Sequence, residues 1–218
     1  HERSSAASDV YKRQHGDLLD QPQKTSWLLK IAQKRTNHII AVCNAVKREL
    51  VEKHRFAPAL VSVMHNFFAE EKVSEINNAQ SAKYRDGFAE NGFVVGFAGR
   101  LVKRKGWRDF AKAALAISAQ NSSFKFLIAG DGPDRNKLER LVGGNESIKL
   151  LGSCNDMPTF YRSLDCFVIS SEWDPSPMVF YEAQRAGVPL ISANVTAVNE
   201  LVRDGENGLT YSPGHTDE

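Results

Sequence analysis

Disulfides, metal clusters and membrane spans are all things this sequence has little material for. Its 218 residues include three cysteines, Cys43, Cys154 and Cys166. They are an odd number without metal-ligand spacing, which argues against a disulfide framework and fits a reducing compartment. No apolar run approaches the roughly 18 residues that a membrane span requires, and nothing at the start reads as a signal peptide, so a cytoplasmic chain is expected. Charge of one sign is lacking too. The 28 Lys and Arg face 26 Asp and Glu, a balance too even to draw nucleic acid by itself. No Asp-x-Asp metal motif occurs, and His15, His38, His54, His65 and His215 are scattered. They read as surface or core histidines, not ligands, and no metal site is expected.

Two features of the chain are set apart before the fold is read. Ser4 to Gln14, "SSAASDVYKRQ", reverse-translates to something resembling a transposase adaptor used in sequencing, so residues 1–14 are expected to be a processing artefact. The natural protein would then begin earlier than this chain, and the abrupt end at "GHTDE" suggests truncation there as well. The polar stretch 67–92 carries little periodicity and reads as an interdomain linker.

What remains alternates regularly. "HIIAV" (His38 to Val42) reads as a strand, followed by a helix with Asn44 as its cap, and "LVSVM" (Leu60 to Met64) as a second strand. Beyond the linker come strand "FVVGFAG", a helix from Trp107 to Ala119, strand "KFLIAG", a helix from about Asp134 to Val142, and "IKLLG". A short helix near Met157 to Arg162, strand "CFVIS", a helix within "SEWDPSPMVFYEAQRAG", strand "VPLIS", a short helix near Val198 to Val202 and "GLTY" complete the series. Strands alternating with helices of this length predict an α/β protein with a doubly wound, Rossmann-like parallel sheet.

Ligands of such sheets bind beyond the carboxyl ends of the strands, and four such places carry chemistry. In "GRLVKRKGW", Lys103, Arg104 and Arg108 read as a solvated helix start. Arg100 and Lys105, between a strand end and a helix start, suit a phosphate. In "AGDGPDR", Gly130 and Gly132 permit either a close ligand approach or merely a tight turn. The third glycine of a dinucleotide fingerprint is missing. In "LGSCNDMP", Asp156 reads as a helix cap, with a base pocket as the other option. The fourth place is the helix after Asp174-Pro-Ser-Pro, with Pro177 near its first turn and the amides of Met178 and Val179 open to an anion.

That last helix also poses a puzzle. Val179, Phe180, Ala183, Ala186 and Gly187 make a broad apolar stripe, and Glu182 sits within the same turns. A carboxylate there must either reach solvent or be compensated by hydrogen bonds. Asp174, eight residues earlier, lies on the order of 12 Å away along the axis at about 1.5 Å per residue, a span that suits the two ends of a sugar nucleotide.

Taken together, "FAGRLVKRKG", "FLIAGDGP", "EWDPSPMVFYEAQRAGVPLI" and "NELVRDGENGL" resemble the C-terminal, donor-binding domain of GT-B glycosyltransferases, the large retaining family 4. The resemblance runs from about His38 to the end. It implies that residues 15–66 are a remnant of the N-terminal acceptor domain, most of which is missing, and that 93–218 form a C-terminally truncated nucleotide-sugar-binding domain. Asn66 matches the family's interdomain Asn. The resemblance assigns Arg100 and Lys105 to the donor diphosphate and Glu182 to the ribose hydroxyls. The first Glu of the family's paired-glutamate motif falls on Asp174, one methylene shorter, which leaves either Asp174 or Glu172 to meet the donor sugar. Ser176, Pro177, Met178 and Val179 at the helix start, with Gly99 and Gly130 at the strand ends, complete the expected donor-binding set.

The implied reaction moves a sugar, with retention, from a UDP- or GDP-sugar to an acceptor hydroxyl on a glycan, a lipid-linked acceptor or a polysaccharide. It needs no metal or other cofactor, since the cationic side chains and helix amides supply positive field. The chain itself is expected to bind donor but to be inactive in transfer. The alternatives are a binding module with no activity at all, a GT-B epimerase or a phosphorylase; a nucleic-acid protein using Arg100 to Arg108 would instead show steep salt dependence. The amphipathic stretch Thr25 to Ile40 would allow peripheral contact with a membrane face, although packing against a lost domain explains it as well.

Overall fold

The computed structural model describes residues 37–67, 84–88, 92–195 and 198–213. The 1–14 segment, His15, His215 and the amphipathic stretch up to residue 36 lie outside them. The chain divides into two compact units, His1–Met64 and His65–Glu218.

In the first unit, β1 (Ile39–Ala41) and β2 (Val61–Val63) pair in parallel around α1 (Asn44–Glu52). Ala41, Phe56 and Val61 are its buried core, with Val46, Leu50 and Val51 packed on them. The expected cap is displaced by one residue. The Cys43 thiol, not Asn44, accepts from the Val46 amide at 3.5 Å. Asn44 already has its backbone in the helix, because Cys43 is the last residue with extended dihedrals, and only a side chain at that boundary can turn back to the free amides.

The second unit is built on six parallel strands: β3 (Phe93–Ala98), β4 (Phe124–Ala129), β5 (Ile148–Gly152), β6 (Cys166–Ile169), β7 (Leu190–Ala193) and β8 (Leu209–Tyr211). Their order is β5-β4-β3-β6-β7-β8. The helices are α2 (Trp107–Gln120), α3 (Arg135–Val142), α4 (Met157–Arg162) and α5 (Met178–Arg185). The period of two in the strands sorts them into two layers. Phe97, Phe126, Ile128 and Ile148 face one core with Trp107, Phe110 and Ala114 of α2 and Leu138 and Val142 of α3. Val94, Ala98, Leu127 and Ala129 face the other with Phe160 and Tyr161 of α4 and Phe180 and Ala183 of α5. Helices on both faces of a parallel sheet are the doubly wound architecture that the alternation predicted. The last predicted helix is shorter than its pattern, a 3₁₀ turn over Val198–Glu200.

Of the 67–92 stretch, residues 67, 84–88 and 92 are described, and 84–88 are held to this unit. Arg85 donates to the Ser163 carbonyl at 2.9 Å and to Asp165 Oδ1 at 2.8 Å. Asp165 Oδ2 in turn accepts the Val94 amide at 2.7 Å, at the start of β3.

Candidate functional site

The strand order reverses direction between β3 and β6. From β3 the chain proceeds outward through β4 and β5, then returns to the other side of β3 and proceeds outward through β7 and β8. At such a switch point the connections leave on opposite faces and a crevice opens beyond the carboxyl ends. Pairing between β3 and β6 is correspondingly brief. It covers Val95↔Cys166 and Gly96↔Phe167 and stops two residues before β3 ends, whereas β3 and β4 pair through to Ala98↔Ala129.

The loops leaving these two strands carry the candidate residues. After β3, Gly99 and the exposed Arg100 lead to a 3₁₀ turn, Lys103–Lys105, closed by Gly106. Gly106 has φ +68°, and a Cβ there would lie 1.6 Å from the Ser170 carbonyl oxygen. The two loops therefore touch backbone to backbone, and only glycine fits. Ser170 Oγ donates to the Gly106 carbonyl at 2.9 Å, and the Glu172 amide to the Arg104 carbonyl at 2.9 Å. With its framework so fixed, Lys105 Nζ meets Asp174 Oδ2 at 2.5 Å. Asp174 is 8 % exposed, a burial that a carboxylate tolerates only when paired. Glu172 is exposed and contributes its backbone. Arg100 forms no ion pair among the described residues.

Gly130 is demanded by packing within the protein. Its φ is +141°, and a Cβ would fall 1.9 Å from the Gly99 carbonyl. Of the two readings left open by the sequence, the tight turn accounts for the residue fully. Asp156 caps α4 by accepting from the Thr159 amide at 3.2 Å, as expected of it.

The helix α5 begins without a side-chain cap, and Pro177 occupies the N-cap position itself, one place before the first turn. Its missing N–H is immaterial there, and the Met178 and Val179 amides come before the first bond of the helix, from the Phe180 amide to the Pro177 carbonyl at 3.1 Å. Asn66 Nδ2 donates to the Ser176 carbonyl at 3.2 Å, holding the approach to the helix. Ser176 Oγ and Tyr181 Oη are buried with no hydrogen-bond partner among the described residues.

Glu182 is half-buried, and its puzzle is resolved by a residue that the sequence did not flag. Tyr161, 1 % exposed on α4, donates its hydroxyl to Glu182 Oε2 at 2.8 Å. Burial, and then the Glu182 charge, push the tyrosine pKa up, so it stays a neutral donor. Glu182 Oε1 has no hydrogen bond among the described residues and remains open to a ligand hydroxyl.

The structure thus joins Lys105 to Asp174, and Glu182 to Tyr161. Neither pairing has a local signature, since the partners lie 69 and 21 residues apart. The retrospective signal for Tyr161 is a polar-tipped aromatic on an otherwise apolar helix face, which needs a partner when buried.

Residues 92–218 match the family described as "Glycosyl transferases group 1". A UDP-Gal:alpha-D-GlcNAc-diphosphoundecaprenol alpha-1,3-galactosyltransferase of Escherichia coli is 32% identical over 190 residues, covering 84% of this chain and 49% of the relative. The capsular polysaccharide biosynthesis glycosyltransferase CapM of Staphylococcus aureus is 27% identical over 193 residues, 85% of this chain and 50% of CapM. Among solved structures, Anabaena HepE in complex with UDP and glucose superposes with a TM-score of 0.78 at 24% identity, over 93% of this chain and 57% of that one. The chain spans about half the length of the curated relatives it matches.

Proposed function

The chain belongs to the glycosyl transferases group 1 family, and from that premise we propose that it is the donor-binding part of a retaining GT-B glycosyltransferase of family 4 that takes a UDP-sugar. The observation that carries the reading is the convergence of Lys105 and the uncapped start of α5 at the β3/β6 switch point. A diphosphate there meets a cation and first-turn amides, and Arg100 at the end of β3 adds a second cation. Lys105 can serve while paired, because an ammonium has three donors and Asp174 takes one. Glu182 Oε1 accepts from the ribose, and Asp174 lies toward the sugar.

As transfer proceeds, the bond between the anomeric carbon and the diphosphate oxygen breaks while the acceptor hydroxyl oxygen bonds to that carbon and its proton passes to the departing diphosphate oxygen. The leaving nucleoside diphosphate gathers negative charge, and fixed cations and dipoles that interact more strongly with it than with the bound donor lower the barrier. UDP is favoured over GDP because the named E. coli relative uses UDP-Gal and the named HepE structure contains UDP. Acceptors of the lipid-linked or polysaccharide kind follow from the same relatives' names. The matched stretch is about half of those relatives, and we propose that these 218 residues alone bind donor without turnover.

Calorimetric titration of UDP-, GDP- and ADP-glucose tests the reading, repeated with Glu182→Ala and Arg100→Ala. The expected outcome is a preference for UDP-glucose that weakens by at least about tenfold in each variant, the value of a lost charged hydrogen bond. Equal affinity for all three sugars, or unchanged binding in both variants, would remove the assigned roles; sugar transfer by the chain alone would refute its inactivity.

A further inference from the structure

We infer that Tyr161 is a positioning residue that gives the site its discrimination for a ribose over a 2′-deoxyribose nucleotide, by fixing which oxygen of Glu182 faces the ligand. The inference rests on the donor reading above and concerns a residue outside the expected donor-binding set.

A glutamate on a helix surface has three rotatable side-chain bonds, and holding it in one arrangement costs rotamer entropy that the ligand would otherwise have to offset. In this protein the arrangement is already set. Tyr161 lies in a cage of aromatic rings, edge-on to Phe160 at 5.3 Å and to Phe167 at 5.1 Å between centroids. Phe160 and Phe167 are themselves buried. A ring so enclosed cannot move its hydroxyl far, so the 2.8 Å bond to Glu182 Oε2 pins the carboxylate from beneath. The phenol is the right donor for this task. A lysine or arginine in its place would neutralise the carboxylate and weaken it as an acceptor. A neutral hydroxyl keeps the full negative charge on Glu182, and its raised pKa keeps it protonated. Oε1 is then the oxygen left with open lone pairs, directed by the geometry of the first bond. A ribose hydroxyl that donates to it gains a charge-assisted hydrogen bond, and a 2′-deoxyribose loses one.

Removing the Tyr161 hydroxyl leaves the aromatic cage filled and the Glu182 charge present, but frees the carboxylate to swing. The measurement is the ratio of affinities for UDP and 2′-deoxy-UDP, read by calorimetry on the full chain with thermal melting as the check on folding. The unaltered protein is expected to prefer UDP by about tenfold or more. Tyr161→Phe should bring the ratio to within about threefold, with UDP itself still binding. Glu182→Asp, whose carboxyl is drawn back by one methylene and cannot serve Tyr161 and the ribose together, should lower the ratio in the same direction.

Glu182→Ala separates the two layers of the argument. If it abolishes the preference while Tyr161→Phe and Glu182→Asp both keep it, the positioning role is overturned and the donor reading stands. If Glu182→Ala keeps the preference, or if the unaltered chain binds neither nucleotide, the ribose role of Glu182 is overturned and Tyr161's role falls with it. A merely structural Tyr161 would lower the melting temperature and both affinities alike and leave their ratio untouched.

Discussion

Two carboxylates flank the start of α5, and the protein treats them in opposite ways. Asp174, in the loop before the helix, is 8 % exposed and has its charge met by Lys105. Glu182, inside the helix, is half-buried and receives a hydrogen bond from the neutral Tyr161. One charge is cancelled, whereas the other is held in place and left available. An ion pair removed from water returns little net stability but becomes costly when one member is lost. A neutral donor beneath a carboxylate sacrifices none of its strength as an acceptor. On the proposed function, the difference separates an acid that fixes a cation's position from an acid that binds the ligand.

The severest way to break this contrast is to remove the cation. Lys105→Met keeps the stem and deletes the charge, leaving Asp174 buried without a partner. A fully buried pair would lose 3–5 kcal/mol, and with Lys105 about a quarter exposed the expected loss is about 2–3 kcal/mol. Removing Glu182 with Glu182→Ala strands only the Tyr161 hydroxyl, at about 1–2 kcal/mol. Urea unfolding of the two variants measures both; a Glu182 variant less stable than the Lys105 variant would reverse the assignment of the two acids.

A gentler probe separates them by pH. Tyrosine in the unfolded chain titrates near its ordinary value of 10.0, and Tyr161 in the folded protein titrates above it. The folded state therefore holds the proton where the unfolded state has lost it. That share of stability is complete below pH 10 and declines as pH rises toward the folded value, by up to ~1.4 kcal/mol per pH unit for one group. Tyr161→Phe should lose less stability than the unaltered protein between pH 10 and 11.5, and the same between pH 7 and 9. Parallel profiles across both intervals would mean that Tyr161 is not held buried beside Glu182 as described.

Much of this was legible before any coordinates. The period of two in "FVVGFAG" and "KFLIAG", set against helical spacing from Trp107 onward, identifies the layers, because burial on both faces of a parallel sheet leaves a pattern in each strand by itself. Arg100, Lys105 and Asp174 were visible for a related reason, since residues just past strand ends occupy a known edge of such a sheet, and Glu182 was visible as a carboxylate within an apolar helix stripe. Which of them meet was not legible. The Lys105–Asp174 contact depends on Gly106 pressing against Ser170, a tertiary match between loops 64 residues apart, and no local spacing encodes it. The Cys43 cap was missed because thiols are weak acceptors, and preference rules direct attention to the neighbouring asparagine.

The smallest expected effect concerns the alternative that the sequence left open, whether Glu172 or Asp174 serves the sugar end of the site. Glu172 is exposed, and its amide, not its side chain, ties the β6 loop to the Arg104 carbonyl. Glu172→Ala retains that amide, so stability should change by less than about 0.5 kcal/mol. UDP-glucose and UDP affinities should both stay within about twofold of the unaltered values. Asp174→Asn, which keeps the shape but leaves Lys105 facing a neutral amide, should alter the two affinities unequally if, as proposed, the sugar-bearing ligand alone extends to that carboxyl. Calorimetry with both ligands decides the matter, because a selective loss of UDP-glucose binding in Glu172→Ala would move the sugar contact from the buried acid to the exposed one.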